Sequence, residues 1–371
     1  MAPVPLTVVC SLDPVLRDCV TATVLWDLDD TVVLRYDLHA GSDTEEGWVA
    51  RLVADAGGVE EDVRLPLEHA CLDCALREDL LPTLLTVARS GRWARVVLAL
   101  PVAAEPSPLL KALTHSSCEG VALSEAVRLD AVVTVAATDR VADDLLGDDS
   151  LLEAGVQAAA GGDERACGEV LAHQLDETDL LLVVGPADAR AEAVLAHVCS
   201  GTRTGLHEVT GRAVTARRRV GTHDRSDLRR AHPTGAADGE HAWTLDLHSA
   251  RALHPRRLLS RLEQIGAGRL RSRGVFWLPA RRDVVGAWDG AGGSLSIGSV
   301  GPWDAQGPRT RLVVTGDDPA DADRVRRAFE EILATTEEAA ALAGAAQDGL
   351  EPWLGPVAGD PHDLEGYGRV A

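Results

Sequence analysis

Three stretches of the chain are apolar almost without interruption: "ARVVLALPV" (94–102), "DAVVTVAATD" (130–139) and "DLLLVVGPAD" (179–188). A strand with one wet face alternates apolar and polar side chains. A strand without that alternation is covered on both sides. Helical spacing fills the intervals at about 106–114, 164–177 and 189–199. Strands alternating with helices define an α/β fold with a mainly parallel sheet covered on both faces.

The N-terminal stretch extends the pattern. "LTVVCSL" (6–12), "TATVLWDL" (21–28), "DTVVLRYDL" (30–38) and "EDVRLPL" (61–67) read as strands. "EEGWVARLVADAG" (45–57) reads as a helix, with Trp48, Leu52 and Val53 on one face and Gly57 as its stop. "REDLLPTLLTVARSG" (77–91) has helical spacing and acidic residues in its first turn. Proline is tolerated only near a helix start, so Pro82 sets the expected onset at Leu76–Glu78.

After Cys199 the periodicity dissolves into Gly, Thr, Arg and His, as in a linker with one short ordered piece. "AWTLDLHS", "GRLRSRGVFWLPA", "VVGAWDG", "SLSIGS" and "TRLVVTG" then read as strands of a small α+β unit. Its helices are "HPRRLLSRLEQIG" and "DPADADRVRRAFEEILATTEE", the latter capped by Asp317 or Asp318 with Pro319 in its first turn. The expected organisation is an α/β domain over 1–200, a linker over 201–242, an α+β domain over 243–338 and a loosely packed acidic, Gly/Pro-rich tail over 339–371.

Charge restricts the partners. A net charge of −22 argues against a general nucleic-acid coat, and no DNA partner is expected. From Arg203 to Arg282, however, seventeen Arg stand against seven Asp and Glu. That interval either meets a polyanion or supplies intramolecular partners to the acidic remainder. Arg217, Arg218, Arg219, Arg229 and Arg230 are its RNA-contact candidates. No run of eighteen apolar residues exists and the N-terminus lacks a basic leader, so the expectation is a cytoplasmic protein without a membrane partner.

The first strand should lead into a phosphate loop, G-x-x-x-x-G-K-[ST], if this were a nucleoside triphosphatase. The stretch is "VVCSLDPVLRDCVTATVL". No glycine precedes Gly41, and Lys111 is the single lysine of the chain. Asp13 and Asp18 would repel phosphates, and Arg17 is the one cation nearby. Without glycine the loop cannot easily take the positive-φ conformations of a phosphate cradle. The residues argue against conventional Mg-nucleotide hydrolysis and assign no catalytic residue. The third apolar run ends "VVGPAD", where only Asp188 matches the Asn-Lys-x-Asp of a guanine-specific loop.

The remaining chemistry lies in "EHACLDCALREDLL" (68–81). Cys71-x-x-Cys74 can chelate one metal ion from a short loop, and thiolates at a helix front are favoured by its dipole. Two thiolates leave a tetrahedral shell incomplete; Asp73, His69, Glu68 or the remote Cys10 could complete it. A redox pair or two structural thiols are the alternatives.

These residues resemble a known family. "ACLDCALREDLLPTL" is similar to the "GCxCCxLREDLL" segment of the CobW family of zinc-handling P-loop GTPases, with Asp73 in place of the middle cysteine. His254-Pro255, Arg257-Leu258, Arg271-Ser272-Arg273-Gly274 and Phe276-Trp277 resemble blocks of that family's C-terminal domain. The resemblance spans most of residues 60–335. It implies a degenerate P-loop-like, mainly parallel sheet domain followed by a CobW C-terminal α+β domain, with zinc as the metal. It also implies GTP as a ligand, which the missing loop contradicts. Pro101 and Ala103 stand where members carry a Thr-Gly switch turn. Retained C-x-x-C with a degraded nucleotide site resembles the branch that recruits a hibernation factor to ribosomes under zinc starvation. That implies two partners, the small ribosomal subunit and the hibernation factor. A zinc metallochaperone is the alternative.

Overall fold

A computed structural model describes residues 2–40, 47–69, 71–118, 120–156, 163–219, 225–357 and 369–370. The chain divides into two compact units. The first comprises Met1–Val141, Asp149–Ala187 and Cys199–Arg225; the second comprises Ala142–Asp148, Asp188–Val198 and Ser226–Ala371.

The first unit is built on strands β1 (Val4–Cys10), β2 (Thr31–Ala40), β3 (Gly47–Asp55), β4 (Gly58–Leu67) and β5 (Arg95–Ala99). It continues with a separate two-residue hairpin, β6 (Ser117–Cys118) and β7 (Val121–Ala122), then β8 (Val127–Ala137), β9 (Leu180–Val184) and β10 (Thr202–Gly205). The main sheet has the order β10-β9-β8-β1-β5-β2-β3-β4. Every pairing from β10 to β2 is parallel, and β2-β3-β4 form an antiparallel edge. The three apolar runs lie in this sheet as β5, β8 and β9. Leu6, Val8, Val96 and Leu98 point into one core, and Val9, Val97, Val133 and Leu182 into the other. Both faces are covered, which is why the runs carry no polar alternation.

Two N-terminal expectations are overturned. Residues 21–27 belong to helix α1 (Pro14–Asp27), with Leu28 as its C-cap, not to a strand. Asp13 caps it, Pro14 opens it, and Arg17, Val20, Thr21 and Val24 form its buried face. Helical spacing across 17–24 outweighs the strand preference of β-branched residues. Residues 47–55 are strand β3, not a helix, while Glu45 and Glu46 lie outside the described residues. β3 pairs with β2 and β4 on either side, so nine residues gain ladder bonds that an isolated helix would not. Gly57 is no helix stop. Its N–H donates to Asp55 Oδ1 at 2.8 Å, and Gly58 takes φ +126° to close the hairpin.

The helix after the cysteines starts earlier than Pro82 suggested. Helix α2 (Leu72–Ala75) runs through a wide turn (Leu76–Leu80) into α3 (Leu81–Ser90). In a regular helix the Pro82 ring would meet the carbonyl of Glu78. In the wide turn Leu81 N–H instead donates to the Leu76 carbonyl, which makes room for proline inside the helical run. The interval read as a linker is also more ordered than expected. β10 pairs with β9, and Thr210 caps a short helix at Gly211–Val214.

The second unit contains one antiparallel sheet, in the order β11-β15-β12-β13-β14-β16. Its strands are β11 (Trp243–Ser249), β12 (Leu270–Phe276), β13 (Val284–Ala291), β14 (Ser294–Pro302), β15 (Thr310–Gly316) and β16 (Arg369–Val370). Helices Pro255–Gly266 and Pro319–Ile332 contribute Leu258, Ile265, Val325 and Phe329 to its core. Asp318, not Asp317, caps the second helix, through Ala320 N–H at 2.9 Å. Asp317 pairs with Arg190 and Arg269. Residues 339–357 are held, not loose: Leu350 and Leu354 enter the core, and Asp348 pairs with Arg281 where both are buried. Residues 358–368 lie outside the described residues.

Candidate metal centre

The turn after β1 has the wrong chemistry for phosphate. Asp13 Oδ1 accepts from the N–H groups of Val15 (2.7 Å) and Leu16 (3.1 Å), so a carboxylate already fills the anion position at the start of α1. Arg17 points inward, 1% exposed, to Asp37 (2.8 Å), Asp18 (3.2 Å) and the Leu100 carbonyl (2.9 Å). At the end of β5, Ala103 takes φ +59° and its N–H donates to the Ser11 carbonyl at 3.1 Å. That left-handed conformation costs a non-glycine residue about 1–2 kcal/mol. Arg165 holds the turn from the other side, bonding the Ala103 carbonyl and Glu105. The "VVGPAD" turn is equally committed. Gly185 has φ +122°, and a Cβ there would meet Thr138 Oγ1 at 2.5 Å. Asp188 Oδ1 caps the following helix through Ala191 N–H.

The cysteine loop is held by the block behind it. β4 ends at Leu67 and α2 begins at Leu72, so four residues make the turn. Glu78 Oε2 accepts from Glu68 N–H at 3.4 Å, and Arg77 reaches Glu68 (3.1 Å) and Glu78 (3.0 Å). Asp79 points the other way. It accepts from the buried Tyr36 hydroxyl at 2.9 Å and pairs with Arg51, which also bonds Thr83 (2.8 Å) and Glu61 (2.7 Å). The Arg-Glu-Asp block therefore ties the loop to the helix and the helix to the antiparallel edge of the sheet.

Glu68, His69 and Cys74 converge: one ligand atom from each lies within 4.8 Å of the other two. Cys74 Sγ is 3.6 Å from His69 Nδ1. Tetrahedral zinc with Zn–S of ~2.3 Å and Zn–N of ~2.0 Å separates its sulfur and nitrogen ligands by ~3.5 Å. The donor set and its spacing fit that ion. Cys71 sits on the same loop but outside the trio, its Sγ accepting from Cys74 N–H at 3.4 Å. Asp73 is exposed on α2 and is not one of the three. Cys10 is fully buried in β1, where burial pushes its thiol far up. Cys74 does not show the depressed pKa expected at a helix front. Burial, then the hydrogen bond with Cys71, push its thiol upward. Glu68, adjacent to His69 in the sequence, joins the trio because the turn after β4 brings both toward Cys74.

The arginine candidates separate by exposure. Arg219 is buried against Glu177 (2.8 Å) and Asp179 (2.9 Å). Arg218 is spent on the carbonyls of Ala213 and Ala216, and Arg229 pairs with Asp227 at 3.1 Å. Arg217 and Arg230 are exposed. Elsewhere in the interval Arg225, Arg257, Arg261, Arg269 and Arg281 pair with acidic side chains. Much of the local positive excess is thus neutralised within the protein.

Residues 242–333 match the cobalamin synthesis protein cobW C-terminal domain. A Mycobacterium tuberculosis protein named as a zinc chaperone is 30% identical over 294 residues, 72% of this chain and 66% of its own length. Zinc-regulated GTPase metalloprotein activator 1 of Dictyostelium discoideum is 22% identical over 258 residues, 64% of this chain and 54% of its own. The chain thus spans just under two thirds of the length of the first of these relatives and about half of the second. The zinc-bound YjiA GTPase of E. coli aligns with 90% of this chain and all of its own at 13% identity, with a TM-score of 0.36. A mainly parallel α/β unit bearing a Cys-x-x-Cys loop, followed by a matched C-terminal antiparallel domain, defines the class as CobW-like. The chain belongs to the CobW family.

Proposed function

We propose that this chain is a zinc-handling protein whose ion would be held by Cys74, His69 and Glu68, with Cys71 as the further sulfur donor on the same loop. The convergence of the three ligand atoms within 4.8 Å carries the reading. Relatives named as a zinc chaperone and a zinc-regulated metalloprotein activator support it. A bound zinc ion would cross-link the turn after β4 to the start of α2. This chain's own residues do the rest: Arg77 and Glu78 fix Glu68, and Asp79 fixes the helix. Equilibrium zinc binding by the full chain, with and without Cys74, tests the assignment.

A finer reading follows from the committed phosphate position. A metallochaperone driven by GTP needs the site that Asp13 fills with its own carboxylate. We therefore propose a nucleotide-independent role, as a zinc-responsive adaptor that recruits a hibernation factor to the small ribosomal subunit. Arg217 and Arg230, both exposed, are the contacts this reading retains. Co-sedimentation with small subunits should rise on zinc chelation and fall when both arginines become Glu. Sedimentation indifferent to zinc and to both substitutions would leave the metallochaperone alternative standing.

A further inference from the structure

The first unit contains a cavity of about 510 Å³ that neither the metal loop nor the vestigial phosphate turn uses. It lies at the opposite rim of the sheet from the turn after β1. Pro3, just before β1, and Val127, the first residue of β8, are on its wall. Doubly wound sheets bind ligands beyond the carboxyl ends of their strands, so this position is not the one the fold ordinarily uses.

The wall has two chemistries. Leu110 and Leu113 on the helix Ser107–His115 face Val127 and Leu129 of β8. The polar part is cationic: Lys111, Arg128, Arg217 and Arg219, against Glu177 as its acidic group. Pairing decides which of these charges remain available. Arg219 and Glu177 neutralise each other, both buried. Arg128 takes both oxygens of Asp130, at 2.7 and 3.0 Å. Arg217 is 54% exposed and reaches that same carboxylate only at 3.9 Å. Lys111, the sole lysine of the chain, is exposed and has no ion pair or side-chain hydrogen bond among the described residues. Among the described residues, Lys111 thus stands unpaired and Arg217 only loosely paired beside an apolar wall, in a protein of net charge −22.

We infer that this cavity binds a small amphipathic anion, its apolar body on the half-buried Leu110 and Leu129, with Leu113 and Val127 behind them, and its carboxylate or phosphate head on Lys111 and Arg217. The volume is within the ~300–1,000 Å³ of small-molecule sites. Neither half of the wall suffices alone. A bare anion would leave the half-buried Leu110 and Leu129 wet, and a neutral hydrocarbon would leave two cations unmatched. The inference is independent of the zinc site, since the cavity wall includes none of residues 68–74, and it shares only Arg217 with the adaptor reading.

The test is calorimetry on the full chain with octyl phosphate, octanoate, inorganic phosphate and octanol. The two amphiphilic anions should bind at least about tenfold more tightly than either fragment. Lys111→Met and Arg217→Gln are exposed substitutions that leave the core intact; each should weaken octyl phosphate by about five- to tenfold. Octyl phosphate should also slow acetylation of Lys111, read from its peptide. Octanol binding as tightly as octyl phosphate would overturn the proposal, as would affinity unchanged in the double variant. So would no binding at about 1 mM. Retention on phosphatidic-acid vesicles without binding of soluble octyl phosphate would point to a membrane headgroup and likewise refute it.

Discussion

Asp79→Asn separates anchoring of the metal loop from its chemistry. Asp79 is 12% exposed, and Arg51, which it pairs with, is 13% exposed. It also accepts the hydroxyl of Tyr36, itself 0% exposed. Breaking a buried ion pair outright costs about 3–5 kcal/mol, because one charge is left uncompensated. Here Arg51 keeps Glu61 at 2.7 Å and Thr83 at 2.8 Å, so the loss should fall below that. The amide retains one acceptor for Tyr36. The remaining loss is one charge-assisted bond at low exposure, about 1.5–3 kcal/mol. Urea unfolding followed by circular dichroism, fitted with one transition per unit, should show the first unit's midpoint falling and the second unchanged. Arg77→Met, at a side chain 67% exposed, should leave both midpoints in place. A loss under about 0.5 kcal/mol for Asp79→Asn would refute the assignment of Asp79 as the anchor. Equal midpoint shifts in both units would refute the localisation.

Other outcomes follow from the same contacts. Arg17→Met removes a buried guanidinium from Asp18 and Asp37, which both keep Arg35, at 3.0 and 3.2 Å, and should cost about 1.5–3 kcal/mol in the first unit's transition; a loss below about 0.5 kcal/mol would show the network is dispensable. Titration calorimetry with GTP and magnesium should give no binding heat, and micromolar affinity would overturn the reading of the Asp13 turn. Glu338 is held down to about 2, first by its bonds from Arg257 and then by the Thr335 N–H in a capping box. Its folded value lies below the unfolded value of about 4.3, so its contribution is full above pH ~4.3 and disappears as pH falls toward ~2. Glu338→Gln should therefore flatten the second unit's acid-melting curve between those limits, and identical curves would remove Glu338 from the account.

The parallel sheet was legible because burial on both faces removes polar alternation, a signal printed directly in β5, β8 and β9. The antiparallel edge was not. Trp48, Leu52 and Val53 satisfy helical spacing by coincidence, and only pairing with β2 and β4 decides for strand. In α1 the sequence carried the evidence, Asp13-Pro14 followed by a buried face at 17, 20, 21 and 24, but β-branched residues masked it. Pro82 misplaced the helix start because a five-residue wide turn leaves no signature in composition. For the site, Cys-x-x-Cys drew the eye to two sulfurs. The chain path instead brings Cys74 to His69 and Glu68 across the turn, with Cys71 engaged in capping α2.

The most direct test of the account is zinc stoichiometry and affinity for the wild type beside Cys74→Ser, His69→Ala, Cys71→Ser and Asp73→Asn. Replacing residues that merely orient metal ligands already costs about 10–100-fold, so losing Cys74 or His69 should cost at least about a hundredfold. Cys71→Ser should weaken binding as well. Asp73, exposed on α2 and outside the trio, should matter little. One zinc per chain, lost with Cys74 and His69 and kept with Asp73→Asn, is the predicted result. Equal stoichiometry and affinity in all five proteins would contradict it.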